Sequence, residues 1–370
     1  MYKKAAIITA FNPYHFKGGI ETYIIQLIAL LRDHKIDVDL YTLDLIKNDT
    51  NLFNGFAEKI YFLGRKFAES DIGYDIVIAN SFYGAGYFPP RARAFNIYHS
   101  CHAAFADAIK DVVSENTYFE LRYLYGELLE SVSGYDRTLL SVSENVADEL
   151  RRYYGLSDIK VINSCVNTNI FKKFDKQEAR KKLFIPEDAY VALYVGRWDK
   201  TKGCDIMEEV MTSRLLQDIY WVIVLGTGTD KNLLPKIHNM RIFEEIEHDR
   251  VVEFYNAADF VLFPSRYESF GYVIAEALAC EVPVITTNVG VAQAIYKDYP
   301  LKMLLLPAVS DNSGAIADLC IEKILLTKED IELRKALGSE GRSVIEKNYS
   351  LAKWHVQMAK ALGIYIYDSS

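Results

Sequence analysis

The strongest constraint on the fold of this chain is a repeated alternation of short apolar runs with segments of helical periodicity. In the first half, runs at 4–10, 37–41, 59–62, 75–79, 95–98, 138–141 and 159–162 read as strands. In the second, the strands fall at 190–195, 221–225, 240–243, 260–263 and 282–286. Strands separated by helices cannot close as hairpins, so they pair in parallel and bury both faces. Helices are expected at 20–32, at 143–154 behind a Ser143 cap, from the Lys202-Gly203 loop to about Leu215, and after Gly271. Two more close the chain, at 311–348 and 351–362. A longer, tyrosine-rich amphipathic helix spans 115–133 and carries Arg122. Core packing is the common use of such a face, and an acceptor or a membrane surface is the other.

Composition shifts at Asn163-Ser164-Cys165-Val166-Asn167-Thr168-Asn169, where a charged stretch from Lys172 to Lys182 follows. The domain boundary is placed there, giving residues 1–168 and 169–349, and 370 residues suit two cores better than one. The expected class is α/β, with two doubly wound parallel sheets. A formal net charge of -8 excludes a general nucleic-acid binder. No run is long and apolar enough to span a bilayer, and Met1-Tyr2-Lys3-Lys4 leads directly into a strand rather than a signal peptide. A cytoplasmic protein is expected, with peripheral contact at the inner membrane face left open. The five cysteines are widely spaced and hold no Cys-x-x-Cys pair, so neither a disulfide framework nor a zinc site is indicated.

In an open parallel sheet, ligands bind beyond the carboxyl ends of the strands, where helix N-termini also point. Each strand-end loop is therefore a candidate. The first, Phe11-Asn12-Pro13-Tyr14-His15-Phe16-Lys17-Gly18-Gly19, is either an anion-binding glycine turn or a plain tight turn, since it has no Gly-x-Gly-x-x-Gly pattern and no Walker lysine. His99-Ser100-Cys101-His102 follows the strand at 95–98. It has no third or fourth ligand at metal spacing. Asp37-Val38-Asp39 mimics a metal motif but begins a strand, the wrong end for a site. In the second half, Gly196-Arg197-Trp198-Asp199-Lys200-Thr201-Lys202-Gly203 brings two cations to a strand-to-helix turn. Gly226-Thr227-Gly228 ends the next strand, and Pro264-Ser265-Arg266-Tyr267-Glu268-Ser269-Phe270-Gly271 leads into a helix with Glu276 at the margin of its apolar stripe. Taken alone, Glu268 and Glu276 are a loop carboxylate and a rim charge.

Taken together, Gly18-Gly19, Gly196-Arg197, Lys202-Gly203, Gly226-Thr227-Gly228, Pro264-Ser265 and the Glu-x7-Glu pair Glu268/Glu276 resemble the GT-B glycosyltransferases of family 4, from about residue 5 to residue 360 and in the family's order. The resemblance implies two Rossmann-like domains facing across a cleft, with a return segment from Ser350 to the first domain. It implies a retaining, metal-independent hexosyltransferase using a nucleotide-diphosphate sugar (UDP- or GDP-linked), with no cofactor. The acceptor would be a glycan, a lipid-linked or a small-molecule hydroxyl, as in surface polysaccharide synthesis.

By the same resemblance, Arg197 and Lys202 clamp the diphosphate, where negative charge grows on the leaving oxygen. Glu268 engages the sugar and Glu276 the ribose. His102 lies near the anomeric centre with His99 as fallback, and Asn12 and Tyr14 lie on the acceptor side. Gly18, Gly19, Gly196, Gly228, Ser269, Phe270, Gly271 and Tyr272 complete the donor contacts, and the segment of Arg241 and Phe243 holds the base. The chain departs from the family where Glu244-Glu245 stand after that segment and where Gly290-Val291 and Gln293 follow residue 286. Base identity and sugar-side contacts are open at those points. Two other functions fit the same residues: a nucleotide-sugar 2-epimerase of this shape, which needs acid–base carboxylates across the sugar, and a non-catalytic nucleotide-sugar-binding subunit. The intact set Arg197, Lys202, Glu268 and Glu276 argues against the second.

Overall fold

A computed structural model describes residues 3–15, 18–52, 55–88, 93–309 and 312–364. The chain divides into two compact units, Met1–Ser164 with Ala352–Ser370, and Cys165–Leu351.

The first unit contains β1 (Lys4–Ile8), α1 (Gly19–Asp33), β2 (Asp37–Tyr41), α2 (Phe56–Ser70), β3 (Ile76–Asn80), β4 (Ala94–Tyr98) and α3 (His102–Ile109). After these come α4 (Glu115–Phe119), a π-helical stretch (Glu120–Glu130), α5 (Ser131–Ser133), β5 (Thr138–Ser141), α6 (Glu144–Tyr154) and β6 (Lys160–Val161). All six strands are parallel, in the order β2-β1-β3-β4-β5-β6. Ala5 through Ile8 and Ile76 through Ala79 are buried, as strands covered on both faces must be. The Ser143 hydroxyl accepts from the Val146 amide and caps α6 as expected. Asp39, of the rejected Asp-x-Asp, is spent on Lys4 (2.8 Å) and the Tyr74 hydroxyl (2.6 Å).

The second unit contains α7 (Lys176–Leu183), β7 (Tyr190–Gly196), α8 (Cys204–Met211), β8 (Ile219–Leu225), β9 (Met240–Glu244), α9 (Val251–Ala257), β10 (Phe260–Phe263) and α10 (Tyr272–Ala279). It continues through β11 (Val284–Thr287), α11 (Ala292–Ile295), β12 (Leu305–Leu306), α12 (Ser313–Glu329) and α13 (Ile331–Asn348), and the chain re-enters the first unit along α14 (Leu351–Leu362). The strands are again all parallel, in the order β12-β11-β10-β7-β8-β9. Numbered within the unit and read from the other edge, this is the 3-2-1-4-5-6 order of dinucleotide-binding sheets.

Four expectations are corrected. Residues 59–62 are not a strand but lie in α2, where Ile60, Leu63 and Phe67 are buried at spacings of three and four, a helical period. The helix expected at 115–133 is α-helical only at its ends. Its middle winds as a π-helix in which the Ser131 amide donates to the Gly126 carbonyl five residues back. The helix after Gly203 stops at Met211 rather than Leu215, where Ser213 caps a separate 3-10 turn. The closing segment at 311–348 is two helices, α12 and α13, parted at Asp330, whose side chain accepts from the Leu333 amide and caps α13; Asp311 lies outside the described residues. Among the described residues no helix is long and apolar enough to cross a membrane.

Candidate active site

In the second sheet, β7 leads outward to β8 on one side and β10 leads outward to β11 on the other. The carboxyl ends of β7 and β10 therefore form a topological switch point, where the two outgoing loops diverge and leave a crevice. Both cation-bearing and carboxylate-bearing loops arise here. After β7, Asp199 caps a short 3-10 turn, Lys200–Lys202, by accepting from the Lys202 amide. Gly203 follows in the left-handed region (φ 77°), and a Cβ there would lie 2.2 Å from the Pro264 carbonyl oxygen. Only glycine lets the loop after β7 touch the loop after β10. Arg266 then fastens the two. Its amide donates to the Thr201 carbonyl (2.9 Å), and its guanidinium forks onto both oxygens of Asp205 (2.8 and 2.7 Å).

The result is a close cation–carboxylate pair. Lys202 Nζ stands 2.6 Å from Glu268 Oε1, which also accepts from the Ser265 hydroxyl at 2.9 Å; the two side chains are 24% and 12% exposed. Arg197 sits on the same loop, more than half exposed, with Nε 3.2 Å from Asp199. Gly196 ends β7 at φ 150°. Beyond Glu268 and Ser269, Phe270 is buried and its carbonyl accepts from the Val291 amide (2.7 Å), which draws the Gly290-Val291 turn against it. Gly271 precedes α10 as its N-cap residue with no side-chain cap, so the positive end of that helix faces the strand-end loop.

Glu276 is not at a margin. It is 3% exposed, accepting from the Tyr255 hydroxyl (2.9 Å) and from His248 Nε2 (2.7 Å). The Glu276 carboxylate raises the His248 pKa above its ordinary value, while burial and then Glu276 push the Tyr255 phenol well up. The sequence reading missed both partners. Neither Tyr255 nor His248 carried a local signal that marked it.

Gly226, Thr227, Gly228 and Thr229, with Glu244 and Glu245, line a cavity of about 350 Å³ at the ends of β8 and β9. Arg241 is not brought to it. The register sets Arg241 beside Val222, three residues below Glu244 and thus about 10 Å from the carboxyl edge. Its guanidinium donates to the Phe184 carbonyl (2.8 Å), and Phe243 packs edge-on against Phe254. Among the described residues, no three His, Cys, Asp or Glu side chains form a metal-binding group.

In the first unit, Gly18 is extended and precedes α1 without a side-chain cap, and Gly19 is the first residue of that helix. Asn12 Oδ1 accepts from the Tyr14 amide (3.0 Å), and the Tyr14 ring is exposed. Phe16 and Lys17 of this loop lie outside the described residues. The two histidines after β4 differ in kind. His99 is buried, with Nε2 hydrogen-bonded to Asn80 Oδ1 and its ring edge-on to Tyr23; burial lowers its pKa to about 3, so it is neutral. His102 opens α3 with its ring about one-fifth exposed against Phe82, and its Nδ1 lies 3.0 Å from Glu130. Glu130 and Tyr154, which surround this histidine, were not among the expected site residues. No local pattern marks them.

Comparison with known proteins follows the two units. Residues 17–170 match the model of Glycosyltransferase Family 4, and residues 175–344 match that of Glycosyl transferases group 1. The D-inositol 3-phosphate glycosyltransferase 1 of Catenulispora acidiphila is 30% identical over 178 residues, which is 43% of this chain and 42% of that protein. The chain thus spans about two-fifths of that relative's length. Sucrose-phosphate synthase from Thermosynechococcus elongatus superposes with TM-score 0.73 at 22% identity, covering 97% of this chain and 98% of that one. Anabaena HepE in complex with UDP-glucose does so with TM-score 0.72 at 18% identity, covering 98% and 100%. The sheet order and these structural matches give the GT-B fold, and the two family models, met in order along the chain, place it among the family 4 glycosyltransferases.

Proposed function

We propose that this protein transfers a hexose from a nucleotide-diphosphate sugar to a hydroxyl acceptor, with retention and without a metal. The carrying observation is the Lys202–Glu268 pair at 2.6 Å, set at the switch point of a dinucleotide-type sheet. Breaking the anomeric C–O bond leaves negative charge on the diphosphate, and Lys202, Arg197 and the N-terminal end of α10 are the groups suited to receive it. Lys202 is already poised by Glu268, and a diphosphate entering the crevice takes over that cation. Among the described residues, the Lys202 and Ser265 hydrogen bonds to Glu268 both end on Oε1, which leaves Oε2 for the sugar hydroxyls. A carboxylate held in this way serves recognition better than attack, which favours front-face departure with the leaving phosphate taking the acceptor proton. Glu276 accepts the ribose hydroxyls, a task for an acceptor-only group, and within the first unit His102 is the candidate catalytic residue.

HepE is known in complex with UDP-glucose, and the Catenulispora relative is a D-inositol 3-phosphate glycosyltransferase. A UDP- or GDP-sugar donor and a polar hydroxyl acceptor, glycan, lipid-linked or small, are the corresponding reading for this chain. The test is a thermal-shift screen of UDP-, GDP- and ADP-sugars, then product analysis with sugar, lipid-linked and polyol acceptors. A stabilising donor and a glycoside of retained anomeric configuration, formed equally in EDTA, are expected. Epimerised donor with no acceptor product would replace transfer by the epimerase reading, and the absence of any nucleotide-sugar binding would end both.

A further inference from the structure

We infer that Glu130 is a positioning residue that locks His102 in the Nδ1–H tautomer and so presents Nε2 as a hydrogen-bond acceptor; this rests on the proposed role of His102. Glu130 is fully buried at the end of the π-helical stretch, 28 residues from its partner in sequence. Oε2 accepts from the His102 amide (2.6 Å) and the Tyr154 hydroxyl (2.8 Å), and Oε1 faces His102 Nδ1 (3.0 Å). Tyr154 in turn accepts from the Ala103 amide (3.1 Å), so its own proton is directed at Glu130.

A carboxylate is acceptor-only, so every group around it donates. Nδ1 therefore carries the proton, and in a neutral imidazole Nε2 is then the acceptor. Capping α3 does not explain the arrangement by itself. A short polar side chain at Cys101 would cap the helix locally, whereas a buried carboxylate carries a large desolvation cost. The wide π-turn and Gly126 bring it here: a Cβ on Gly126 would stand 2.9 Å from the Tyr154 hydroxyl and 3.1 Å from the Ala103 amide. The ring itself is wedged against Phe82 at 4.7 Å.

Glu130→Gln separates positioning from capping. Oε2 receives two donors and Oε1 one, so the glutamine oxygen takes the Oε2 place and its NH2 turns to Nδ1. The tautomer then flips to Nε2–H while the cap is kept. Nitrogen-15 NMR of histidine-labelled protein reads this directly. The wild type shows Nδ1–H at His102, Glu130→Gln shows Nε2–H, and Tyr154→Phe, which removes a donor from the other oxygen, keeps the wild-type pattern. An Nε2–H signal in the wild type, or no change in Glu130→Gln, overturns the inference.

In turnover, Glu130→Gln lowers kcat about 10- to 100-fold, part of the factor a positioned acid or base supplies, with donor KM within about twofold. In a His102→Ala background it lowers kcat no further. Independent, multiplicative losses overturn the positioning role. If no donor is turned over by the wild type, the transferase reading fails while the NMR result still decides the tautomer.

Discussion

Replacing Gly203 by alanine tests the geometry on which the whole second-unit site depends. The residue has φ 77°, and its Cβ would lie 2.2 Å from the Pro264 carbonyl oxygen, a backbone atom that cannot swing aside. A left-handed alanine costs about 1–2 kcal/mol, of which the stiffer unfolded chain returns about 0.4–1. Relieving the overlap requires the two loops to part by about 1 Å, an overpacking cost of about 1–3 kcal/mol. Gly155 is the control: it has φ 66° and nothing within 4 Å of its Cβ, so it carries the backbone penalty alone.

Gly155→Ala should cost about 1 kcal/mol and Gly203→Ala about 2–4. At about 2–4 °C per kcal/mol for units of this size, the second variant melts well below the first. Denaturant unfolding and thermal melting of the two variants side by side measure the difference. Because Lys202 precedes Gly203 and Glu268 lies on the displaced loop, Gly203→Ala should also lower turnover in folded protein. Stabilities within about 0.5 kcal/mol of each other would refute the claim that the loops touch through this glycine.

Lys202→Ala and Glu268→Ala should each reduce sugar transfer by about 10²–10³-fold, the usual loss of one charge-stabilising group, while circular dichroism stays native; turnover within a factor of two of wild type in both would remove the pair from the mechanism. His99 is held neutral with a pKa of about 3. The unfolded chain, titrating near 6.5, takes up its proton first, so this residue's contribution is present above about pH 6.5 and is lost as the pH falls toward 3, by about 2 kcal/mol at pH 5. His99→Gln should flatten that acid limb in urea titrations run from pH 7 to 5. His248 carries the opposite sign. Glu276 raises its pKa, so the pair stabilises fully below about pH 6.5 and fades as the pH rises through the folded value. The stability gap between wild type and His248→Gln should be larger at pH 6 than at pH 9, and a gap independent of pH would show the pair to be uncharged.

Much of this architecture is written locally. Buried parallel strands need unbroken apolar runs, and helices need a 3.6-residue period, so the alternation, the α/β class and the strand-end positions of Arg197, Lys202 and Glu268 follow from neighbouring residues alone. Locality also explains the error at 59–62, where four residues of mixed character fit either period and only the burial of Leu63 and Phe67 decides for α2. The tertiary structure decided what depends on partners distant in the chain. Strand order sets β7 beside β10 and makes their loops one site. Register lowers Arg241 away from the carboxyl edge. Glu276 is buried because Tyr255 and His248 reach it, and His102 is distinguished from His99 because a glutamate 28 residues on, carried by a π-helical turn, lies against it. Hydrophobic periodicity is a property of a segment, whereas the charge, tautomer and reach of a side chain are properties of what the fold packs against it.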